Sequence, residues 1–432
     1  MSPTPHVIIS PGRLDGKVAI PPSKSAAHRA IIAAALSNGP CRITPIAASD
    51  DIVATSNAMA ALGANIRTDG DALIVRGLHD NATGAAAAAA TTLIDCAESG
   101  STLRFLIPIA AALGRNATFT GRGRLAERPM AEYLHCLTQH GMTFSSDRGL
   151  PLSISGQLQP GTYVLPGNIS SQFITGLLFA LPMLNGDSVI ALSSDLQSAG
   201  YVDLTLAVLA DASIRIDATA NGWAIPGKQR YQARNYSVEG DWSQAAFFLA
   251  AATIGSDISI TGLKRDSKQG DRAAEDLFRQ FGATITWDAA GALHARCNQA
   301  RGIAIDAAQI PDLVPALAAA AALCPGQTRI FNAERLRAKE SDRLAAMRKA
   351  LGALGATISE SVDGLIIDGV ERLHGGNVDG ANDHRIVMAS AIAALRADSP
   401  VAISHPQSIN KSYPDFFAHF RSIGGSAHVN LG

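Results

Sequence analysis

The chain has 432 residues, 47% hydrophobic and 17% charged, with a formal net charge of -1. That is the composition of a folded chain long enough for two or more domains. The near-zero charge and an aromatic content of only 5% argue against a nucleic-acid-binding or membrane-surface protein.

The N-terminal stretch "MSPTPHVIIS" shows no basic run followed by a long apolar one, so no secretory signal is read there. A strand is predicted at "HVIIS" and another at "KVAIPP". At Ser23 a helix opens with "SKSAAHRAIIAAAL", polar at its head and apolar on nearly every side after that. Five further Ala-rich helices begin near Gly100, Ser170, Asp241, Pro311 and Asn382, with bodies such as "LRFLIPIAAAL" and "LVPALAAAAAL". Helices apolar all round belong inside a core. Each is followed by a short strand ("CRITPI", "ATFTG", "SVIAL", "DISITG", "TRIFN", "PVAIS"), an outer helix and a strand pair. Outer helices such as "AAEDLFRQFG" and "SDRLAAMRKALGALG" are amphipathic.

The predicted fold is therefore α/β: six βαβαββ repeats of about 70 residues, each too long for a solenoid turn and acting as a subdomain. Three repeats make a domain of ordinary size. The sixth lacks its last strand, and "HVIIS" is surplus to the first. The chain is therefore expected to start and end in one domain, residues 1–21 with 241–432, while residues 22–240 form the other.

The buried helices start at "PPSKS", "ESGST", "NISSQ", "GDWSQ", "IPDLV" and "NDHR". N-capping accounts for many of these Ser, Asp and Asn residues. It does not account for Lys24, Arg29, Arg104 and Arg385 in first turns, where the helix dipole disfavours cations. An anion held by backbone N–H groups, hydroxyls and cations together resolves that mismatch. Loops after the short strands add Arg122, Arg124 and Arg128, then Arg335, Arg337, Lys339 and Arg343, then Lys411. Repeats place equivalent loops at one end of a domain, so these cations point to small, multiply charged substrates carrying phosphate or carboxylate. Asp312 and Glu340 are the candidate acid and base, since a carboxylate facing a cation cluster can be tuned for proton transfer. His28 and His384 are equally well read as structural. Cys41, Cys96, Cys136, Cys297 and Cys324 show no C-x-x-C spacing, which fits reduced thiols in a cytoplasmic protein rather than a zinc site.

"PSKSAAHRA", "SGSTLRFL", "ERPM", "SSQFITGLL", "IPDLVPALA", "RAKESDRL", "NDHRIVMA" and "NKSYPDFF" resemble, in order, the motifs of the 5-enolpyruvylshikimate-3-phosphate synthases. That family belongs to the enolpyruvyl transferases. The resemblance runs from Pro21 to Phe417. It implies a two-domain enolpyruvyl transferase fold resembling an inside-out α/β barrel, with the active site in the interdomain cleft. It also implies transfer of enolpyruvyl from phosphoenolpyruvate to shikimate 3-phosphate in the shikimate pathway, toward chorismate and the aromatic amino acids.

Carried over by motif, Lys24, Ser25, Arg29, Ser170, Ser171, Gln172, Ser198, Tyr201, Asp312 and Lys339 would bind shikimate 3-phosphate. Lys24, Gly100, Arg124, Gln172, Arg343, Arg385 and Lys411 would bind phosphoenolpyruvate. Asp312 and Glu340 would be the acid–base pair, assisted by Lys24. No metal or organic cofactor, nucleic acid or membrane partner is implied, and a monomer is expected. Two departures from the bacterial pattern stand out: "SGST" where that pattern has Asn-Ala-Gly-Thr, and Arg335 where it has Asn. The rival readings are a UDP-N-acetylglucosamine enolpyruvyl transferase and a non-catalytic anion-binding protein. The former typically carries Lys-Asn at the Lys24-Ser25 position and a Cys in the arginine loop, where "GRNATFTGRGRLAERPM" has none.

Overall fold

A computed structural model describes residues 5–78, 91–146 and 149–430. Its helices, in chain order, are α1 (Lys24–Leu36), α2 (Asp50–Ala61), α3 (Gly100–Ala112), α4 (Ala131–Thr138), α5 (Ser171–Ala180), α6 (Ala199–Asp211), α7 (Trp242–Thr253), α8 (Ala274–Gln280), α9 (Val314–Ala321), α10 (Arg343–Ala353), α11 (His384–Ala393) and α12 (Phe416–Ser422). Odd and even members differ in kind. The odd ones are the Ala-rich helices, and every residue of α7, α9 and α11 is buried. The even ones bury one face, as α2 does through Ile52, Ala54, Thr55, Ala58 and Met59.

Alanine and glycine let the inner helices approach closely. A Cβ at Gly176 of α5 would lie 2.5 Å from the Arg104 carbonyl oxygen of α3 and 2.7 Å from the Tyr133 hydroxyl. Real side-chain carbons do not tolerate such distances, so only glycine fits this crossing.

The chain divides into two compact units, Met1–Pro22 with Glu239–Gly432, and Ser23–Val238. Each holds three four-stranded sheets of one pattern. The strand before a buried helix pairs in parallel with the strand after it, and that strand pairs antiparallel with the next. In the fifth repeat Ala304–Asp306 pairs with Gln327–Phe331, which pairs with Leu365–Asp368 and through it Thr357–Glu360. The parallel pairing is what a helical crossover requires. The sixth sheet is completed from the other end of the chain, because His6–Ser10 lies between Val401–Ser404 and Ser426–Asn430. The second repeat's turn at 147–148 lies outside the described residues.

One feature departs from a simple reading of the repeats. Asp15–Ala19 precedes α1 in the chain but pairs with Asp257–Thr261, the strand after α7. Tyr236–Ser237 precedes α7 but pairs with Pro40–Thr44, the strand after α1. The first and fourth repeats have exchanged leading strands. The chain passes between units at Pro22 and Val238, where Asp241 donates its backbone N–H to the Pro21 carbonyl at 2.9 Å.

Candidate active site

The polar helix starts form one constellation in each unit. In Ser23–Val238 the buried helices α1, α3 and α5 are capped by serines. Ser23 accepts from the Ala26 N–H, Ser99 from Thr102 and Ser170 from Gln172. Such caps satisfy one orphan donor each and leave neighbouring N–H groups at the helix end. Lys24 pairs with Asp51 at 2.8 Å. Arg29 is only 3% exposed. Its Nε donates to Thr205 Oγ1 at 2.8 Å, and its Nη atoms to the carbonyls of Ser25 (2.7 Å) and Tyr201 (2.9 Å). Burial pulls its guanidinium down to about 10, still a cation at neutral pH. Ser198, left-handed at φ 58°, precedes α6, and the Tyr201 carbonyl belongs to the first turn of that helix.

A second cluster joins α3 to α5. Arg104 donates to Gln172 Oε1 at 2.7 Å and to the Pro129 carbonyl at 2.9 Å, and Gln172 donates to Ser101 Oγ at 3.0 Å. A Cβ on Gly100 would stand 2.6 Å from Nη1 of the buried Arg128. Gly100 is thus the floor over which Arg128 lies. Arg124, by contrast, pairs with Glu127 at 3.0 Å on the surface. His28 is a structural member. Its Nδ1 lies 2.7 Å from Thr55 Oγ1, which continues through Thr102 to Ser99. Burial, then the nearby Lys24 and Arg29, hold it well below the usual histidine range, so it is neutral.

In the other unit the focus is Arg343, at the start of α10 with its side chain 2% exposed. It donates to Asp312 Oδ1 (2.9 Å), Glu340 Oε2 (2.7 Å) and Asp383 Oδ2 (2.9 Å). Three carboxylates around one planar fork suit arginine and not lysine. Asp312 sits in a 3-10 turn, Pro311–Leu313, ahead of α9. It also meets Arg385 Nη2 at 3.3 Å and Lys339 Nζ at 3.8 Å, and its carbonyl accepts from Arg385 Nη1 at 2.8 Å. Burial opposes its charge, but Arg385, Lys339 and Arg343 outweigh it and hold the carboxyl well below the usual range. Burial pulls Lys339 down to about 8, with Arg343 and Arg335 adding to the effect against Asp312 and Glu340. Lys411 donates to the Asn382 carbonyl at 2.6 Å, in a loop whose Ala381 and Asn382 are both left-handed. Arg335 donates to the Ala308 carbonyl at 2.7 Å.

The profile of EPSP synthase (3-phosphoshikimate 1-carboxyvinyltransferase) matches residues 8–420. The chain belongs to this family. It is 45% identical to the 3-phosphoshikimate 1-carboxyvinyltransferase of Clostridium novyi (strain NT), covering 97% of this chain and 98% of that one. It is 46% identical to that of Clostridioides difficile (strain 630), covering 96% and 97%. Among solved structures it resembles EPSP synthase from Acinetobacter baumannii, with TM-score 0.82 and 26% identity over 99% of this chain and 100% of that one. The enolpyruvyl transferase NikO from Streptomyces tendae shares the fold, with TM-score 0.79 and 19% identity over 99% of each chain.

Within this family member, the residues expected from the motifs fall into both constellations. Lys24, Ser25, Arg29, Gly100, Ser170, Ser171, Gln172, Ser198 and Tyr201 stand at helix starts of Ser23–Val238. Asp312, Lys339, Glu340, Arg343 and Arg385 form one ion-pair network in the other unit. Sequence reasoning missed Asp51, the partner of Lys24, and Asp383, wholly buried between Arg343 and the Ser341 hydroxyl. A signal for Asp383 was present: Ser99, Ser170, Asp241, Asp312 and Asp383 are equally spaced along the chain, one at each successive buried-helix start.

Proposed function

We infer that the protein transfers the enolpyruvyl (carboxyvinyl) group of phosphoenolpyruvate to the 5-hydroxyl of shikimate 3-phosphate, releasing phosphate, in aromatic amino acid biosynthesis. The observation that carries this reading is the family match over nearly the full length of the chain and of its 45%-identical relatives. The proposed site of action is the cytoplasm; among the described residues no helix is long and apolar enough to cross a membrane. A monomer is the proposed state.

The chemistry is addition followed by elimination. The 5-hydroxyl gives up its proton and attacks C2 of phosphoenolpyruvate as C3 takes a proton, and the tetrahedral intermediate then expels phosphate from C2 as C3 gives a proton back, restoring the double bond. In the proposed assignment Asp312 takes the hydroxyl proton, Glu340 delivers the proton to C3, and Lys24 assists proton movement. The ion pairs give this an order. Asp312 and Glu340 are both tied to Arg343. An anion arriving at Arg343 and Arg385 competes for those guanidinium groups and loosens both carboxylates. Glu340 then becomes free to carry a proton, and Asp312 becomes a stronger base. General acid–base help of this kind is worth roughly 10²–10⁴-fold. Holding two mutually repelling anions against Lys24, Arg29, Gln172, Arg124, Lys339, Arg343, Arg385 and Lys411 supplies the positioning. Ser25, Ser170, Ser171, Ser198 and Tyr201 would bind the shikimate side and Gly100 the phosphoenolpyruvate side.

The deciding assay is phosphate release from phosphoenolpyruvate with shikimate 3-phosphate, with UDP-N-acetylglucosamine, or with neither. Release only with the first is expected. Release with the UDP-sugar, or none at all, refutes the reading.

A further inference from the structure

Four buried side chains join three helices of Ser23–Val238. His28 Nδ1 of α1 lies 2.7 Å from Thr55 Oγ1 of α2, and Thr55 Oγ1 lies 2.6 Å from Thr102 Oγ1 of α3. Thr102 in turn donates its hydroxyl proton to Ser99, the cap of α3, at 2.8 Å. His28 is 1% exposed and the other three are fully buried. The last bond fixes the direction of the others. A threonine hydroxyl has one proton to give. Thr102 gives its proton to Ser99, so it accepts from Thr55. Thr55 has then given its own proton, so it accepts from His28, and His28 Nδ1 carries a proton. The other ring nitrogen agrees. Nε2 is buried without a hydrogen-bond partner among the described residues, and a proton there would be a buried donor with no acceptor. One turn earlier on the same two helices, Lys24 of α1 pairs with Asp51 of α2 at 2.8 Å. The residue after Ser99 is Gly100.

We propose, given the transfer reaction inferred above, that His28 is a positioning residue: as the Nδ1–H tautomer it donates into a one-way chain, Thr55 to Thr102 to Ser99, that holds Gly100 in place against Lys24. The bond from His28 to Thr55 sets α1 against α2, one turn from the Lys24–Asp51 pair. The bond from Thr55 to Thr102 sets both against the start of α3. Neither substrate needs to touch any of the four. Valine in place of either threonine would fill the same space without burying a hydroxyl, so packing alone does not call for the chain. A hydrogen bond fixes distance and angle where an apolar contact can slide. A fully satisfied polar chain therefore selects one arrangement of the three helices.

The first test is nitrogen NMR of the full chain labelled at histidine, with His28 assigned by the signals that His28→Gln loses. Nδ1 should carry the proton and Nε2 should be bare. In Thr55→Val neither ring N–H has an acceptor, so the preference for Nδ1–H should be lost. Thr55→Ser keeps a hydroxyl and should retain it. The second test is phosphate release with each substrate varied in turn. Thr102→Val cuts α3 from the other two helices. It should raise the KM for phosphoenolpyruvate by about two- to tenfold, the worth of one neutral hydrogen bond, with the KM for shikimate 3-phosphate nearly unchanged. Thr55→Val cuts both links and should raise both constants, while Thr55→Ser should keep both near wild type. A proton on Nε2 in the wild type, or a wild-type KM for phosphoenolpyruvate in Thr102→Val, overturns the role of His28 while the functional reading stands. The wild-type spectrum decides the direction of the chain even if neither valine variant folds. A wild-type enzyme that releases no phosphate overturns the functional reading and the positioning role with it.

Discussion

Gly100→Ala separates stability from function. The added Cβ would lie 2.6 Å from Arg128 Nη1 and 3.4 Å from Gln172 Oε1. An ordinary contact is about 3.4 Å or more, so Arg128 must retreat by roughly 0.8 Å, whereas Gln172 need hardly move. The clashing atom is the far end of a flexible side chain, so the folded state absorbs the change cheaply. Alanine is also the better helix former by up to about 1 kcal/mol. Melting temperature should therefore stay level or rise. On the proposed roles, Gly100 and Gln172 touch phosphoenolpyruvate, and the displaced Arg128 guanidinium lies beside Gly100. Losing or lengthening one charge-assisted hydrogen bond there costs about 1.5–3 kcal/mol, which is roughly a 10- to 150-fold rise in the KM for phosphoenolpyruvate. The KM for shikimate 3-phosphate should change little. The assay is phosphate release with each substrate varied in turn, alongside thermal unfolding. An unchanged KM for phosphoenolpyruvate, or equal rises in both constants, would refute the reasoning.

Asp312→Asn should lower kcat by about 10²–10⁴-fold while shikimate 3-phosphate binding, followed by calorimetry, changes far less. Near-normal turnover would remove Asp312 from the chemistry. Lys339 is held at about 8, so its charge is present below that pH and lost as pH rises through it. Affinity for shikimate 3-phosphate should fall above pH 8 in the wild type and stay level in Lys339→Arg, and parallel profiles would contradict this. Asp383→Ala strips Arg343 of one carboxylate in a site where Asp383 is wholly buried. Unpairing a buried charge costs about 3–5 kcal/mol, to be read from urea unfolding, and a loss under about 1 kcal/mol would refute the pairing.

The six apolar helices, their following strands and the surplus first strand were legible because burial writes itself into composition and period. The exchange of Asp15–Ala19 and Tyr236–Ser237 was not. Their alternation of side chains is the same whichever sheet receives them, so nothing local marks the swap. Cations at helix starts were legible for a similar reason, since Lys24 and Arg385 contradict the helix dipole. Their partners were not, because Asp51 meets Lys24 and Asp383 meets Arg343 through tertiary packing rather than along a helix face. Arg343 shows the difference most clearly. The sequence marks it as one more cation in a charged loop, and only folding encloses it among three carboxylates.

Asp312 raises the question of why one of three equivalent aspartates is available for chemistry. Asp241 and Asp383 cap their helices, accepting from Gln244 and Arg385 N–H groups at 3.2 and 2.9 Å. Asp312 holds the corresponding place in the spacing, but it lies within the 3-10 turn Pro311–Leu313, and the cap position of α9 falls to Leu313. The residue three positions on is Pro315, which has no N–H to give. The helix start tightens into a 3-10 turn and the carboxylate turns to Arg343, Arg385 and Lys339 instead. Pro315→Ala restores a donor where Asp241 finds one in Gln244. In the empty enzyme the three cations should still hold Asp312, because a cap is worth only about 1 kcal/mol. On the proposed roles those cations turn toward the substrates in the loaded enzyme, and the new N–H then competes for the carboxylate. About 1 kcal/mol at that stage corresponds to roughly a fivefold fall in kcat, with KM for both substrates nearly unchanged. Unfolding stability should drop by no more than about 1 kcal/mol from the freer unfolded chain. A Pro315→Ala enzyme with wild-type kcat would show that Asp312 is kept from capping by its cations alone, and that the proline has no part in its release.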